Sequence, residues 1–254
     1  MTFVPGSAQM TMEPWHLCLA VREGKLVLRG DGQLATVAQI ADLSEPWCMG
    51  TFEGTPVWTG RSSSLVAVDW MSLPERLSAA GVRAPSVVNW RAAHRYCGAC
   101  REELADNRWH DGRDCPSCGL HVPLAFRPVV LVCITRGPEV LLVRHTYGNP
   151  ETWAIIGGLV EAGESLEEAA RREVGEEVGL TIGELTYAGS QPWHAGTQAK
   201  VLAAFTAEYA SGEVRIDPDE LAEARWFARH ALPAKLPPAF ALGRRIIESL
   251  RTSA

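Results

Sequence analysis

The chain contains no apolar run long enough to cross a bilayer. The longest, VVLVCI at residues 129–134, reads as a buried strand. It has no excess of positive charge: the formal net charge is −6, which argues against broad, unspecific binding to a phosphate backbone but leaves open a small anion held through metal ions. The first residues, MTFVPGSAQM, have neither a basic n-region nor a long apolar stretch, so no signal peptide is expected. A soluble cytoplasmic protein with no membrane partner follows as an expectation. Seven cysteines are an odd number, and four of them fall in close pairs, which is not the pattern of a secreted disulfide framework. There is no internal repeat and no low-complexity tract.

What is present is ordinary globular material. Hydrophobic residues make up 46% of the 254 positions and charged residues 21%, enough for one large domain or two small ones with a real core. Residues 1 to about 90 read as mixed β. WHLCLAVR and LVAVDW look like strands, and GTFEGTPVW looks like a turn followed by a strand. LPERLSAAG predicts a short helix closed by Gly81, and SVVNWRAAHRY predicts a second one at 86–96. From Pro128 the pattern turns α/β. Strands are expected at 129–135, 139–143, 153–156, 184–189, 200–209 and 224–227. Helices are expected at 165–178 and, with a proline near its start, at 237–250.

Cys97, Cys100, Cys115 and Cys118 form C-x2-C-x14-C-x2-C. Each C-x-x-C turn can present two thiolates to one cation, and two turns complete a tetrahedron, so a closed structural Zn²⁺ site, one per chain, is expected. A redox dithiol would use a single C-x-x-C in a βαβ setting. Between the pairs, Arg101, Arg108 and Arg113 are offset by Glu102, Glu103, Asp106, Asp111 and Asp114. That balance leaves no basic patch and favours a clamp or spacer role. Cys18, Cys48 and Cys133 stand in apolar surroundings and read as buried thiols.

The densest signal is GLVEAGESLEEAARREVGEEVGL, residues 158–180. Ser165 followed by Glu168 is a capping box, so a helix should begin at Ser165, and Gly179 should end it. Glu173, Glu176 and Glu177 stand at i, i+3 and i+4 and share a face, beside an apolar stripe of Ala170, Val174 and Val178. Clustered carboxylates repel one another, and hard divalent cations remove the repulsion. The bland alternative is a solvated acidic face paired with Arg171 and Arg172.

The segment fits G-x5-E-x7-R-E-U-x-E-E-x-G-U, with U apolar, through Gly158, Glu164, Arg172, Glu173, Val174, Glu176, Glu177, Gly179 and Leu180. It resembles the Nudix box. The resemblance implies an α/β (α+β) Nudix sandwich of α/β/α layers that hydrolyses a nucleoside diphosphate linked to another moiety. Glu173, Glu176 and Glu177, with the carbonyl of Gly158, would be ligands to Mg²⁺ or Mn²⁺. Arg172 and Glu164 would pair to orient the helix and its preceding loop, and Glu177 is the first choice to position or deprotonate the attacking water. Glu223, in ELAEARWF, matches a downstream metal-linked glutamate of similar proteins.

NWRAAHRYCGAC, the second thiol pair, the carboxylate helix, SQPW and IDPDELAEARWF occur in the order found in the NADH pyrophosphatase (NudC-like) family, which the chain resembles over most of its length. That resemblance implies a degenerate Nudix-like N-terminal domain at 1–93, a four-cysteine zinc ribbon at 94–123, a catalytic Nudix domain at 124–254, and a homodimer. It implies cleavage of NAD(H) to NMN(H) and AMP, and removal of NAD caps from RNA. Ser190, Gln191, Trp193 and His194 would belong to the substrate loop.

The chain departs from the family at two places. His194-Ala195-Gly196 stands where the family has P-F-P, and Val122 stands where a tyrosine precedes proline. Trp193, Tyr147 and His194 are candidates to supply the missing ring, although His194 by itself reads as an exposed loop histidine. Two alternatives stay open. One is the same chemistry on another nucleoside diphosphate derivative, such as ADP-ribose, a dinucleotide or a specialised pathway nucleotide. The other is a catalytically weak nucleotide- or RNA-binding regulator, against which the intact Glu173, Glu176 and Glu177 argue.

Overall fold

The computed structural model describes residues 3–6, 10–64, 66–107, 112–195 and 198–251. Arg108, Asp111 and Gly196 lie outside the described residues. The chain divides into two compact units, one of Met1–Phe126 with Pro192–Ala199, the other of Arg127–Gln191 with Lys200–Ala254. Among the described residues no helix is long and apolar enough to cross a membrane.

The first unit holds a sheet of eight strands: β1 (Phe3–Pro5), β2 (Leu17–Cys18), β3 (Ala20–Arg22), β4 (Lys25–Leu28), β5 (Ala35–Thr36), β6 (Ser44–Phe52), β7 (Thr55–Arg61) and β8 (Val66–Val68). Their order is β1-β6-β7-β3-β4-β8, with β2 pairing β5 and β7. The expected turn in GTFEGTPVW is the β6–β7 hairpin. Phe52 pairs Thr55, and both Glu53 and Gly54 have positive φ, 53° and 80°, as a two-residue primed turn requires.

One expectation fails here. The two helices placed on either side of Gly81 are a single helix, α1 (Glu75–Ala93), with Gly81 and Pro85 inside it. In a helix interior, glycine costs about 1 kcal/mol and proline about 3. Packing outweighs both, because Leu77, Ala80, Ala84, Val87 and Val88 are all buried. Gly81 has a positive use as well, since a Cβ there would lie 2.5 Å from Leu73 Cδ1. After α1 the thiol-bearing segment forms three short strands, β9 (Ala105–Asp106), β10 (Gly112–Asp114) and β11 (His121–Pro123), ordered β11-β10-β9.

The second unit is built on β12 (Arg127–Arg136), β13 (Glu139–His145), β14 (Ile156–Leu159), β15 (Thr181–Ala195) as far as Gln191, β16 (Gln198–Ser211) from Lys200, and β17 (Leu221–Ala228), in the order β15-β16-β12-β13-β17 with β14 also on β12. The sheet is mixed: β12 runs parallel to β16 and antiparallel to β13 and β14. Helix α2 (Leu166–Val178) lies against β12 and β14. Its Ala170, Val174 and Val178 share one core with Val132, Ile156 and Phe205, as the stripe predicts. The capping box forms, with Glu168 N donating to Ser165 Oγ at 3.2 Å and Ser165 N donating to Glu168 Oε2 at 2.8 Å. Gly179 ends the helix in the left-handed conformation, φ 71°.

Two boundaries move. The strand expected at 153–156 begins at Ile156, because Ala154 makes only an isolated bridge to Val143 while the ladder to β12 covers Ile156–Leu159. The last helix, α3 (Leu242–Ser249), starts five residues after Pro237. Ala241 at its N-cap has no side-chain acceptor to offer, and that function falls to Gln191.

Candidate active site

Gly158 sits in β14, directly before the loop that leads to α2. A Cβ at this position would stand 1.8 Å from the Glu173 carboxyl carbon. The glycine of the motif is therefore what allows the Glu173 carboxylate to lie against the β14 backbone. Arg172, on the same helix, donates from Nε to Glu164 Oε1 at 2.6 Å and from Nη2 to Glu164 Oε2 at 2.9 Å. Its Nη2 also reaches the Leu159 carbonyl at 2.9 Å, and its Nη1 reaches Glu173 Oε1 and Glu176 Oε2, each at 2.8 Å. One guanidinium thus ties the strand, the loop and the helix together, and its fork geometry suits the bidentate pair. The Arg172 bonds, aided by the Glu161 N–H, hold the Glu164 carboxyl down at about 2.

Glu177 is in the opposite situation. It is 1% exposed, and its one nearby donor, the Gly157 N–H, makes no well-formed hydrogen bond to either carboxylate oxygen. Burial, followed by the charges of Glu173 and Glu220, pushes its carboxyl up to about 8. Burial also raises Glu173 above the usual carboxylate range, against the pull of Arg172. A buried carboxylate so poorly supplied with donors is costly. Here it faces two more carboxylates: ligand oxygens of Glu173, Glu177 and Glu220 lie within 4.8 Å of one another. Hard oxygen donors converging in this way fit a divalent cation such as Mg²⁺ or Mn²⁺.

The third member of that cluster differs from the expectation. Glu223 is not in that close group. Its carboxylate is held by Arg144 Nη2 at 2.6 Å and Arg225 Nη2 at 2.5 Å. Glu220, three residues earlier, comes in because the turn 217–221 is fastened to the helix and to β13. Asp217 N donates to the Glu177 carbonyl, and Thr146 N donates to the Glu220 carbonyl, at 3.0 and 2.9 Å. IDPDELAE offers several carboxylates in a row, and nothing in their spacing marks Glu220 out. Glu176 remains exposed, bound to Arg172 and outside the closest group.

The residues expected in the substrate loop make the following contacts within the fold. Gln191 uses both ends of its amide within the fold, donating to the Phe240 carbonyl at 3.0 Å and accepting from Leu242 N at 2.7 Å, so it caps α3. His194 is buried, 6% exposed, not an exposed loop histidine. Its Nδ1 lies 3.2 Å from Ser86 Oγ in the same unit. Ser86 gives its one proton to the Val82 carbonyl, so Nδ1–H of His194 is the donor in that pair. Trp193 meets Trp70 edge to face, with ring centroids 4.8 Å apart. Ser190 is exposed. Tyr147, by contrast, is near the carboxylates: burial and the charges of Glu177, Glu220 and Glu173 raise its hydroxyl to about 12.

The four thiols of the ribbon come together, with Cys97 Sγ 3.6 Å from Cys118 Sγ and Cys100 Sγ 3.4 Å from Cys115 Sγ. These are near the ~3.8 Å edge of a tetrahedron with ~2.3 Å metal–sulfur bonds and far beyond a disulfide. The Ala99 N–H points at Cys97 Sγ and the Cys118 N–H at Cys115 Sγ. The donor set fits a metal. Cys18, Cys48 and Cys133 are buried free thiols, as expected.

The NUDIX domain family profile matches residues 125–250. A protein of Deinococcus radiodurans named NAD-capped RNA hydrolase NudC is 36% identical over 92% of this chain and 87% of its own length. One of the same name from Escherichia fergusonii is 35% identical over 79% of this chain and 78% of its own. The crystal structure of a NUDIX hydrolase from Nitrosomonas europaea superposes with a TM-score of 0.50 at 19% identity, covering 61% of this chain and 91% of that one, a likeness of fold alone. On the strength of the long sequence matches, the chain belongs to the Nudix pyrophosphohydrolases, within their NADH-pyrophosphatase-like (NudC-like) family.

Proposed function

We propose that the chain is a divalent-metal-dependent diphosphatase that splits NAD(H) into NMN(H) and AMP and also acts on NAD-capped RNA. The observation that carries this is the buried Glu177 carboxylate, without a well-formed hydrogen bond, converging with Glu173 and Glu220. The relatives named NAD-capped RNA hydrolase support the substrate.

When bound, Mg²⁺ or Mn²⁺ supplies charge neutralisation for the diphosphate and Lewis acidity for the attacking water. Glu173, Glu177 and Glu220 would hold it, with the Gly158 carbonyl as a further oxygen and Glu176 at the exposed margin. Arg172 keeps Glu173 and the loop through Glu164 in a fixed arrangement. Glu177 would accept the proton of the attacking water at a carboxylate oxygen as the P–O bond to the bridging oxygen breaks and one mononucleotide leaves. Zn²⁺ in the four-cysteine cluster would be structural, since four thiolates leave no open position. A cytoplasmic homodimer belongs to the same reading and rests on the resemblance to the family.

The test is product analysis. Purified protein with Mg²⁺ or Mn²⁺ is incubated with NADH, ADP-ribose, FAD, dinucleoside polyphosphates and NAD-capped RNA. NMN(H) and AMP are expected. Cleavage of another diphosphate without NMN(H) would move the substrate elsewhere, a reading favoured by Ala195 and Val122 where the family carries aromatics. Cleavage of none would end the diphosphatase reading.

A further inference from the structure

The segment that follows β13 is pinned beside the carboxylate cluster. The β13–β17 register shifts between Arg144 and His145, after which His145 pairs Leu221. Thr146 then fastens the chain to the turn that carries Glu220. Its N–H donates to the Glu220 carbonyl at 2.9 Å and its hydroxyl to the Asp219 carbonyl at 2.9 Å. The next residue, Tyr147, is therefore held next to Glu220, and Gly148 turns the chain away with φ 73°.

Tyr147 is 60% exposed, so its ring contributes little to the core. Part of it rests on His145, with ring centroids 4.9 Å apart and planes inclined by 30°. The hydroxyl lies within electrostatic reach of Glu177, Glu220 and Glu173 together. An exposed aromatic ring, backed by a second ring and fixed at the rim of a cation-binding carboxylate cluster, is what a flat ring attached to a diphosphate would meet. Every planar base has a π-face, and stacking needs no particular hydrogen-bond pattern.

We propose that Tyr147, backed by His145, is the surface on which a planar heteroaromatic ring of the substrate stacks while the diphosphate lies at the Glu173, Glu177 and Glu220 cluster. This rests on the diphosphatase reading above and makes Tyr147 a specificity-determining residue. The ring could be the nicotinamide or the adenine, and two ligands separate them, because NADH carries both and ADP-ribose only the adenine.

The experiment compares the wild-type chain with Tyr147→Ala and Tyr147→Phe. It measures kcat and KM by product formation and Kd by calorimetry for NADH and ADP-ribose in the presence of the divalent cation. Tyr147→Ala should raise KM and Kd about tenfold or more with kcat changed less than about threefold. Tyr147→Phe should keep wild-type values, since it retains the ring. A rise for NADH alone assigns the nicotinamide, and a rise for both ligands assigns the adenine. Unchanged KM and Kd in Tyr147→Ala for both ligands would overturn the proposal. So would equal losses in Phe and Ala, which would point to the hydroxyl instead of the ring. If the wild-type chain turns over neither ligand, the NAD(H) reading falls, and the calorimetric Kd values still report on the ring contact.

Discussion

The carboxylate of Glu173 fills the space in which a side chain on residue 158 would begin, 1.8 Å from where a Cβ would stand. The group in the way is the far end of a flexible side chain, not backbone, so an alanine at 158 can be accommodated by swinging Glu173 out of the cluster. Gly158→Ala should therefore fold with a Tm within a few degrees of wild type and lose about 100-fold or more in kcat/KM. Differential scanning fluorimetry beside steady-state kinetics reads both. Retained activity would show that Glu173 is not needed where it lies.

Glu220 and Glu223 should separate cleanly. Glu220 is exposed and clusters with Glu173 and Glu177, so Glu220→Gln is expected to leave Tm unchanged while raising the Mn²⁺ concentration for half-maximal activity about tenfold or more. Glu223 pairs with Arg144 and Arg225. Glu223→Gln should cost up to about 1 kcal/mol of stability, with little change in the metal requirement. Metal titrations of the two variants side by side make the comparison. The reverse pattern would return the ligand role to Glu223.

Glu177 makes the metal-free protein sensitive to pH. Its carboxyl stands near 8 in the folded chain and at the ordinary 4.5 when unfolded. Between those values the unfolded chain has released the proton while the folded chain still holds it, so this group lowers stability progressively as pH rises from about 4.5 to about 8. Glu177→Gln removes that slope and should raise the Tm of metal-free protein at pH 8 relative to wild type. It should also cost about 10²–10⁴-fold in turnover. Thermal scans in chelator from pH 5 to 8, wild type against Glu177→Gln, measure the difference. Parallel profiles would mean that Glu177 is ionised without a cation.

The four thiols predict one Zn²⁺ per chain, measurable by elemental analysis. Cys100→Ser should lose that ion and cost at least about 3 kcal/mol of stability, since among the described residues the apolar cluster around the thiols is small, Cys97, Leu104 and Cys115 with Val122 packed against them. Mn²⁺ binding at the carboxylates should persist. Full zinc content in Cys100→Ser would argue against a four-thiolate site.

Local chemistry was legible wherever partners lie within a turn or two of one another in sequence. The Ser165–Glu168 capping box, the Gly179 stop, the stripe of Ala170, Val174 and Val178, and the paired thiols each depend on short fixed spacings that a helix or a knuckle converts directly into contact. Propensity failed at Gly81 and Pro85, where both residues signal a break. The cost of each is local, and the burial that offsets it comes from residues spread along the whole of α1. The Arg172–Glu164 pair was foreseen through the motif, and the structure adds the Leu159 carbonyl and Glu176 as further acceptors.

The composition and the short-range motifs were sufficient for the carboxylate-bearing helix, the thiol tetrad and the α/β character of the second half, because those follow from periodicity and spacing. Which distant side chains complete the site is a matter of three-dimensional register. Glu220 and not Glu223 joins the cluster because Thr146 and the Glu177 carbonyl fasten one particular turn. Gln191 caps α3, and His194 donates to Ser86 inside the first unit. Tyr147 reaches the carboxylates because a shift in the β13–β17 ladder sets its segment beside them. Each of these joins residues far apart in the chain through one or a few backbone or side-chain hydrogen bonds, and no local pattern encodes which donor will meet which acceptor.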